Sequence, residues 1–155
     1  MSRVTVWRLC QKRHAADAFS GEGSRLFGGR WSPAGLRIAY SSESRSLAAM
    51  EVLVNVRDPG LLFAQPWAIL PATIPTNLIE HPRRVPENWR ATPYGSETQA
   101  FGSEWAKAER SVALQVPSSV VLGEFNYLLN PDHPDFSKIE IGAFAPFEFD
   151  SRIRH

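Results

Sequence analysis

The sequence predicts an α+β fold, and three observations carry that expectation. Short apolar stretches of strand length, several alternating with period two, outnumber the helical ones and crowd the last third of the chain. Two or three segments have helical length, and one of them, residues 47–56 (LAAMEVLVNV), is apolar except at Glu51 and Asn55. No repeat, low-complexity segment or shift of composition divides the 155 residues, so 1–155 reads as a single domain, long enough to bury a core.

Taken in order, residues 4–9 (VTVWRL) alternate as a first strand, with Arg8 on one of its faces. Residues 12–19 follow as a connector or short helix, and then comes a glycine-dense loop holding Gly21, Gly23, Gly28 and Gly29. Residues 36–41 read as a second strand on which Leu36, Ile38 and Tyr40 share a face. Ser44 is placed to cap a helix over 45–56, which Asp58, Pro59 and Gly60 stop. A helix apolar all round is expected to be buried, with Glu51 and Asn55, four apart, on one face. Residues 66–74 form a strand interrupted or edged by Pro71. The polar, proline-rich passage 75–95 has the length of a functional loop, a candidate lid or contact surface. A second helix starts at Ser96 or Thr98 and ends near Lys107 or Ala108. Strands are expected over 111–116, 119–124, 138–144 and 147–149, with 130–134 as a turn.

Composition excludes several classes. The 43% hydrophobic and 21% charged content is that of a soluble globular protein. A net charge of +1 argues against a sequence-independent grip on nucleic acid, while leaving room for a local basic pocket. Cys10 is the one cysteine, so no internal disulfide forms; it reads as a small core residue in a chain suited to a reducing cytoplasm. No signal-peptide pattern opens the sequence and no apolar run spans a bilayer, so no membrane partner is expected. His14, His81, His133 and His155 lack metal-ligand spacing, and neither a metal site nor a nuclease is expected.

The candidate chemistry concentrates between Ser20 and Glu51. Glycines let backbone amides approach a phosphate, but their spacing matches neither common phosphate loop, so a structural turn competes. Arg30, between Gly29 and Trp31, has a planar fork suited to a diphosphate or carboxylate; Arg25 and Arg37 have less context. Tyr40 is either a core tyrosine or a stacking platform for a planar ring. Glu51 stands out, because a carboxylate in an apolar helix costs several kcal/mol unless paired, hydrogen-bonded or protonated. An ion pair with Arg8, Arg30 or Arg37 would satisfy it; facing a cavity, it would bond a substrate hydroxyl near a developing positive charge. Ser118 is a strand-edge hydroxyl or a ligand donor, without the elbow of a hydrolase nucleophile. Asn126 and Asn130 flank an apolar segment and suit turns.

The blocks GEGSRLFGGRWSPAG, IAYSSES, LAAMEVLVNV, LQVPSSVV, EFNYLLNPDHPDF and PFEFDSRI together resemble the RES domain, in order from about Trp7 to Ile153. That family is named for an arginine, a glutamate and a serine and supplies the toxin of RES–Xre toxin–antitoxin pairs. The resemblance puts the arginine on Arg30, the glutamate on Glu51, a functional tyrosine on Tyr40 and the serine on Ser118, with Ser119 as the alternative. It implies a single domain with a split β core like that of ADP-ribosyltransferase toxins, and NAD as substrate. Gly28, Gly29, Trp31 and Asn130 complete the expected NAD-binding set. The implied activity breaks the nicotinamide–ribose bond and passes the ADP-ribosyl group to water, phosphate or a protein. The implied partners are an Xre-type antitoxin on a separate chain and a second copy in a homodimer, with no direct nucleic-acid contact. Two competitors remain: an ADP-ribosyltransferase with one specific protein target, and a non-enzymatic interaction module whose arginines and Glu51 form a structural network.

Overall fold

The longest pairing in the molecule joins β1 (Arg3–Gln11) to β3 (Trp67–Pro75), antiparallel, from Arg3 opposite Pro75 to Gln11 opposite Trp67. The structure, a computed structural model, describes residues 2–153; His155 lies outside them. Alternation explains the pair: Val6 on β1 and Ala68, Leu70, Ala72 and Ile74 on β3 point into one buried cluster. Pro71 is accommodated because the outer neighbours of β3 leave it free. β8 (Ala145–Phe147) pairs with residues 67–69 and β7 (Glu140–Ile141) with residues 72–73, so no amide is asked of the proline. Its carbonyl still accepts the Gly142 amide at 2.9 Å.

A second set of strands consists of β2 (Ala39–Ser42), β4 (Ile79–Glu80), β5 (Ala113–Pro117) and β6 (Phe125–Leu129). The sheet order is β4-β5-β6-β2-β1-β3-β7, with β8 also on β3. All pairs are antiparallel except β4 with β5. The eight strands form one sheet, but its halves meet through a single register pair, Trp7 opposite Ser42. The expected split in the β core takes this form, a waist between two well-paired halves.

Among the described residues there are four α-helices: α1 (Glu22–Phe27), α2 (Arg45–Asn55), α3 (Leu61–Ala64) and α4 (Ser96–Lys107). Ser44 caps α2 as expected, its hydroxyl accepting the Leu47 amide at 3.1 Å. α4 backs the glycine loop. A Cβ on Gly102 would collide with the Trp31 carbonyl oxygen, so only glycine allows this helix so close. Trp31, Ile38, Trp105, Leu114, Val116 and Leu128 make the core there.

Several expectations need correction. The glycine loop is not wholly irregular, since it contains α1. The second strand is shorter and later than 36–41. Residues 119–124 form a turn, and the strand lies immediately after it as β6. The Ser118 hydroxyl accepts the amides of Val120 and Val121 at 3.1 and 3.0 Å, a local alternative that outcompetes a ladder. The strands expected over 138–144 and 147–149 are the brief β7 and β8. Finally, α2 is not buried all round: Leu47 and Ala48 are, but Val54 is 59% exposed. α2 packs on β1 and β2 with one face only. Another flank borders open space, and that space is the candidate site.

Candidate active site

Where β1 and β2 part from their single contact, a cleft of about 760 Å³ opens at the waist. Its size falls in the usual range for a small-molecule site. Trp7, Arg8 and Ser42 from the waist line it, together with Gly28, Gly29, Arg30, Tyr40 and Glu51. Arg30, Tyr40 and Glu51, which cluster in sequence, therefore also cluster in space.

Glu51 projects from α2 towards β5 and β6. Its Oε1 accepts the Asn126 Nδ2 amide at 2.9 Å and the Ser118 hydroxyl at 3.2 Å. None of the three arginines offered as partners by the sequence pairs with it; two neutral donors satisfy it instead, both on one oxygen. Among the described residues Glu51 is in no ion pair, and it lines the cleft. Ser118 is fully buried and acts on Glu51 from behind, whereas its neighbour Ser119 reaches the cleft wall.

Tyr40 lies beneath the glycine loop. Its hydroxyl accepts the Trp31 amide at 3.0 Å and shares a hydrogen bond with Ser32 Oγ at 2.7 Å. A Cβ on Gly29 would stand 2.7 Å from that hydroxyl oxygen, so Gly29 is glycine to admit the ring. Burial pushes the Tyr40 phenol up to about 12.

Arg30 donates from Nη1 to the carbonyls of Trp89 and Ala91 at 2.8 and 2.7 Å, and its guanidinium sits 5.5 Å from the centre of the Tyr94 ring. One nitrogen thus pins the 75–95 passage while the others stay uncommitted. Burial lowers the Arg30 pKa, and the nearby Glu51 charge opposes that shift. Arg8, reached from the β1 side, donates to the Tyr40 carbonyl at 2.9 Å, and burial lowers its pKa too. Among the described residues neither arginine has a carboxylate ion pair. Such guanidinium groups are ready for an anion.

Other expected contacts are placed differently. The Gly28 amide donates to the Ser24 carbonyl at 2.7 Å and the Gly29 amide to the Ser32 carbonyl at 2.8 Å, so these amides are consumed inside the loop. Both glycines line the cleft without offering their N–H groups. Trp31 is 2% exposed and packs edge-on against Phe101, supporting the wall from inside. Asn130 is not in the cleft: its side chain donates to the Ala106 carbonyl and accepts the Asp132 amide, holding the turn after β6. Conversely, Arg8, Tyr94 and Asn126 line the cleft without having been singled out for it. Asn126 carried a weak signal, an amide on an otherwise apolar strand, which the turn reading absorbed. Among the described residues no group of His, Cys, Asp or Glu is placed to hold a metal.

Comparison with known proteins agrees with the earlier resemblance. The family model described as RES domain matches residues 5–150. A protein of Photorhabdus laumondii named Toxin Res is 38% identical, with 97% of each chain covered. One from Sphingobium sp. named Prs ADP-ribosylating toxin is 33% identical over 97% of this chain and 96% of its own. In structure, the chain resembles one from the M. tuberculosis MbcT–MbcA toxin–antitoxin complex, with a TM-score of 0.75, covering 95% of this chain and 85% of that one at 18% identity. That likeness shows a shared fold of mixed helices and sheet. With the family model spanning nearly its whole length and curated relatives aligned end to end, this chain belongs to the RES domain family.

Proposed function

We propose that the protein is the toxin of a toxin–antitoxin pair and consumes NAD by cleaving the nicotinamide–ribose bond. The observation that carries the proposal is the setting of Glu51: a carboxylate at a cleft, held through one oxygen by Asn126 and Ser118 and, among the described residues, in no ion pair. Cleavage breaks the C1′–N1 bond, and its electron pair leaves with nicotinamide, which departs neutral. Positive charge develops at the ribose, and a carboxylate in a partly dried cleft stabilises it strongly. Oε2, which no side chain among the described residues engages, takes a ribose hydroxyl. Arg30 and Arg8 receive the diphosphate, whose charge matches their unpaired guanidinium groups. Tyr40 and Tyr94 supply aromatic surface for the nicotinamide or adenine ring. An acceptor oxygen of water or phosphate then bonds to C1′ and gives up its proton.

A second acceptor is favoured by one finding: the Sphingobium relative carries a name that makes it ADP-ribosylating. In that reading the acceptor is a protein side chain and the cleft chemistry is unchanged. The antitoxin, in our reading an Xre-type protein on its own chain, works in the cytoplasm on a toxin homodimer. The test is nicotinamide release from NAD by purified protein, with and without inorganic phosphate. Glu51→Gln keeps the shape and removes the charge, and should lower the rate about a hundredfold or more. Glu51→Gln activity within a few-fold of the parent would overturn the role of Glu51. Free ADP-ribose, its phosphate ester or a mass increase on one protein distinguishes the acceptors.

A further inference from the structure

Asn126 is bonded at both ends of its amide, and the two bonds constrain each other. Nδ2 donates to Glu51 Oε1 at 2.9 Å, while Oδ1 accepts the Ser42 hydroxyl at 2.7 Å. A carboxylate oxygen can only accept, so the amide must turn its NH₂ to Glu51. The reverse orientation would bring two acceptor oxygens within hydrogen-bonding distance. Ser42 is the cross-strand partner of Asn126 in the β2–β6 pair and the partner of Trp7 in the β1–β2 pair. The carboxylate is therefore tied to the sheet at the one register pair joining its halves. The other donor to Glu51, Ser118, makes the longer bond of the two.

We infer that Asn126 is the positioning residue that fixes the working rotamer of Glu51, with Ser42 locking the Asn126 amide. The inference rests on the reading of Glu51 as the carboxylate facing ribose. Neutrality is central to it. A lysine or arginine at this place would hold the carboxylate equally well and cancel the charge needed by the transition state. An amide restricts the rotamer and leaves the charge at work. Glutamate has three side-chain torsions to lose, and a donor fixed in advance by Ser42 spares the reaction that ordering step.

Two readouts test the inference. The first is kcat and KM for nicotinamide release, with thermal melting to confirm folding. Asn126→Leu, of similar size but without the donor and without a new charge, should lower kcat about tenfold or more, the scale seen when a partner behind a working ligand is lost. KM should change little. Ser42→Ala should act in the same direction more weakly. In a Glu51→Gln background, Asn126→Leu should cost nothing further. The second readout is side-chain carbon relaxation at Glu51, which should show greater disorder in Asn126→Leu and Ser42→Ala. A folded Asn126→Leu protein with parental kcat and an ordered Glu51 overturns the inference. So does an equal loss in the Glu51→Gln background. If the parent releases no nicotinamide, the NAD reading fails by itself and relaxation alone decides the positioning role. If Asn126→Leu does not fold, Ser42→Ala carries both readouts.

Discussion

Tyr40 uses its hydroxyl on the loop above it, on the Trp31 amide and Ser32, while its ring borders the cleft. Burial raises its phenol from 10.0 to about 12. In the unfolded chain the phenol ionises near 10, but in the folded chain it holds its proton to about 12. The stability it contributes is therefore complete below pH 10 and is lost as pH climbs from 10 to about 12. Tyr40→Phe should flatten that alkaline loss and cost about 1–3 kcal/mol at neutral pH, because it strands the Trp31 amide and leaves Ser32 Oγ with Ser24 alone. Urea denaturation of parent and variant at pH 8 and pH 11 checks both. The difference between the two proteins isolates Tyr40 from other groups that titrate there. At this scale Glu51 was legible in the sequence because a carboxylate in an apolar helix must be accounted for. Its partners were not legible. Sequence suggested arginines, by charge, and geometry supplied an amide on β6 and a hydroxyl just beyond the end of its neighbour β5.

The 75–95 passage behaves as a strap with identifiable fastenings. Arg30 holds the Trp89 and Ala91 carbonyls, and Asn88 donates to Glu97 at 2.7 Å where the strap meets α4. Thr92 and Tyr94 are thereby delivered to the cleft. Arg30→Ala should loosen the strap, seen as faster hydrogen exchange across residues 86–95, and should raise KM for NAD. Arg30→Lys keeps the charge but not the planar fork, and exchange should remain fast. Unchanged exchange in both variants would show that Arg30 does not fasten the strap. The elements with strong local signals, β1, β3, α2 and α4, were legible to within a few residues. The tail was not. Around Ser118 a hydroxyl capping two amides creates a turn inside a run of strand formers, and β6 falls just beyond it. Nothing in the alternation of side chains distinguishes those two outcomes.

For the whole molecule, the waist places one cleft against both halves of the sheet, with Arg8 on β1 and Tyr40, Ser42 and Asn126 on β2 and β6. A ligand there should stabilise both halves together, by about 2.7 kcal/mol at a hundredfold excess over Kd. With a non-hydrolysable NAD analogue, hydrogen exchange should slow in β1 and β6 alike. Slowing confined to one half would mean that the ligand does not bridge the waist. The sheet also has consequences at its ends. It is open, yet the strands at its two ends are brief: β4 and β7 are two residues each and β8, which shares the outer side of β3 with β7, is three. β5 runs only from Gln115 to Pro117 beyond the cover of β4, and it ends in a residue with no amide to donate. An open sheet ordinarily invites another chain to add a strand. At these ends the hem is too short to stitch to, so an extended peptide finds little ladder to join there. Recognition of a protein at either end of the sheet must therefore run through side chains and shape rather than backbone.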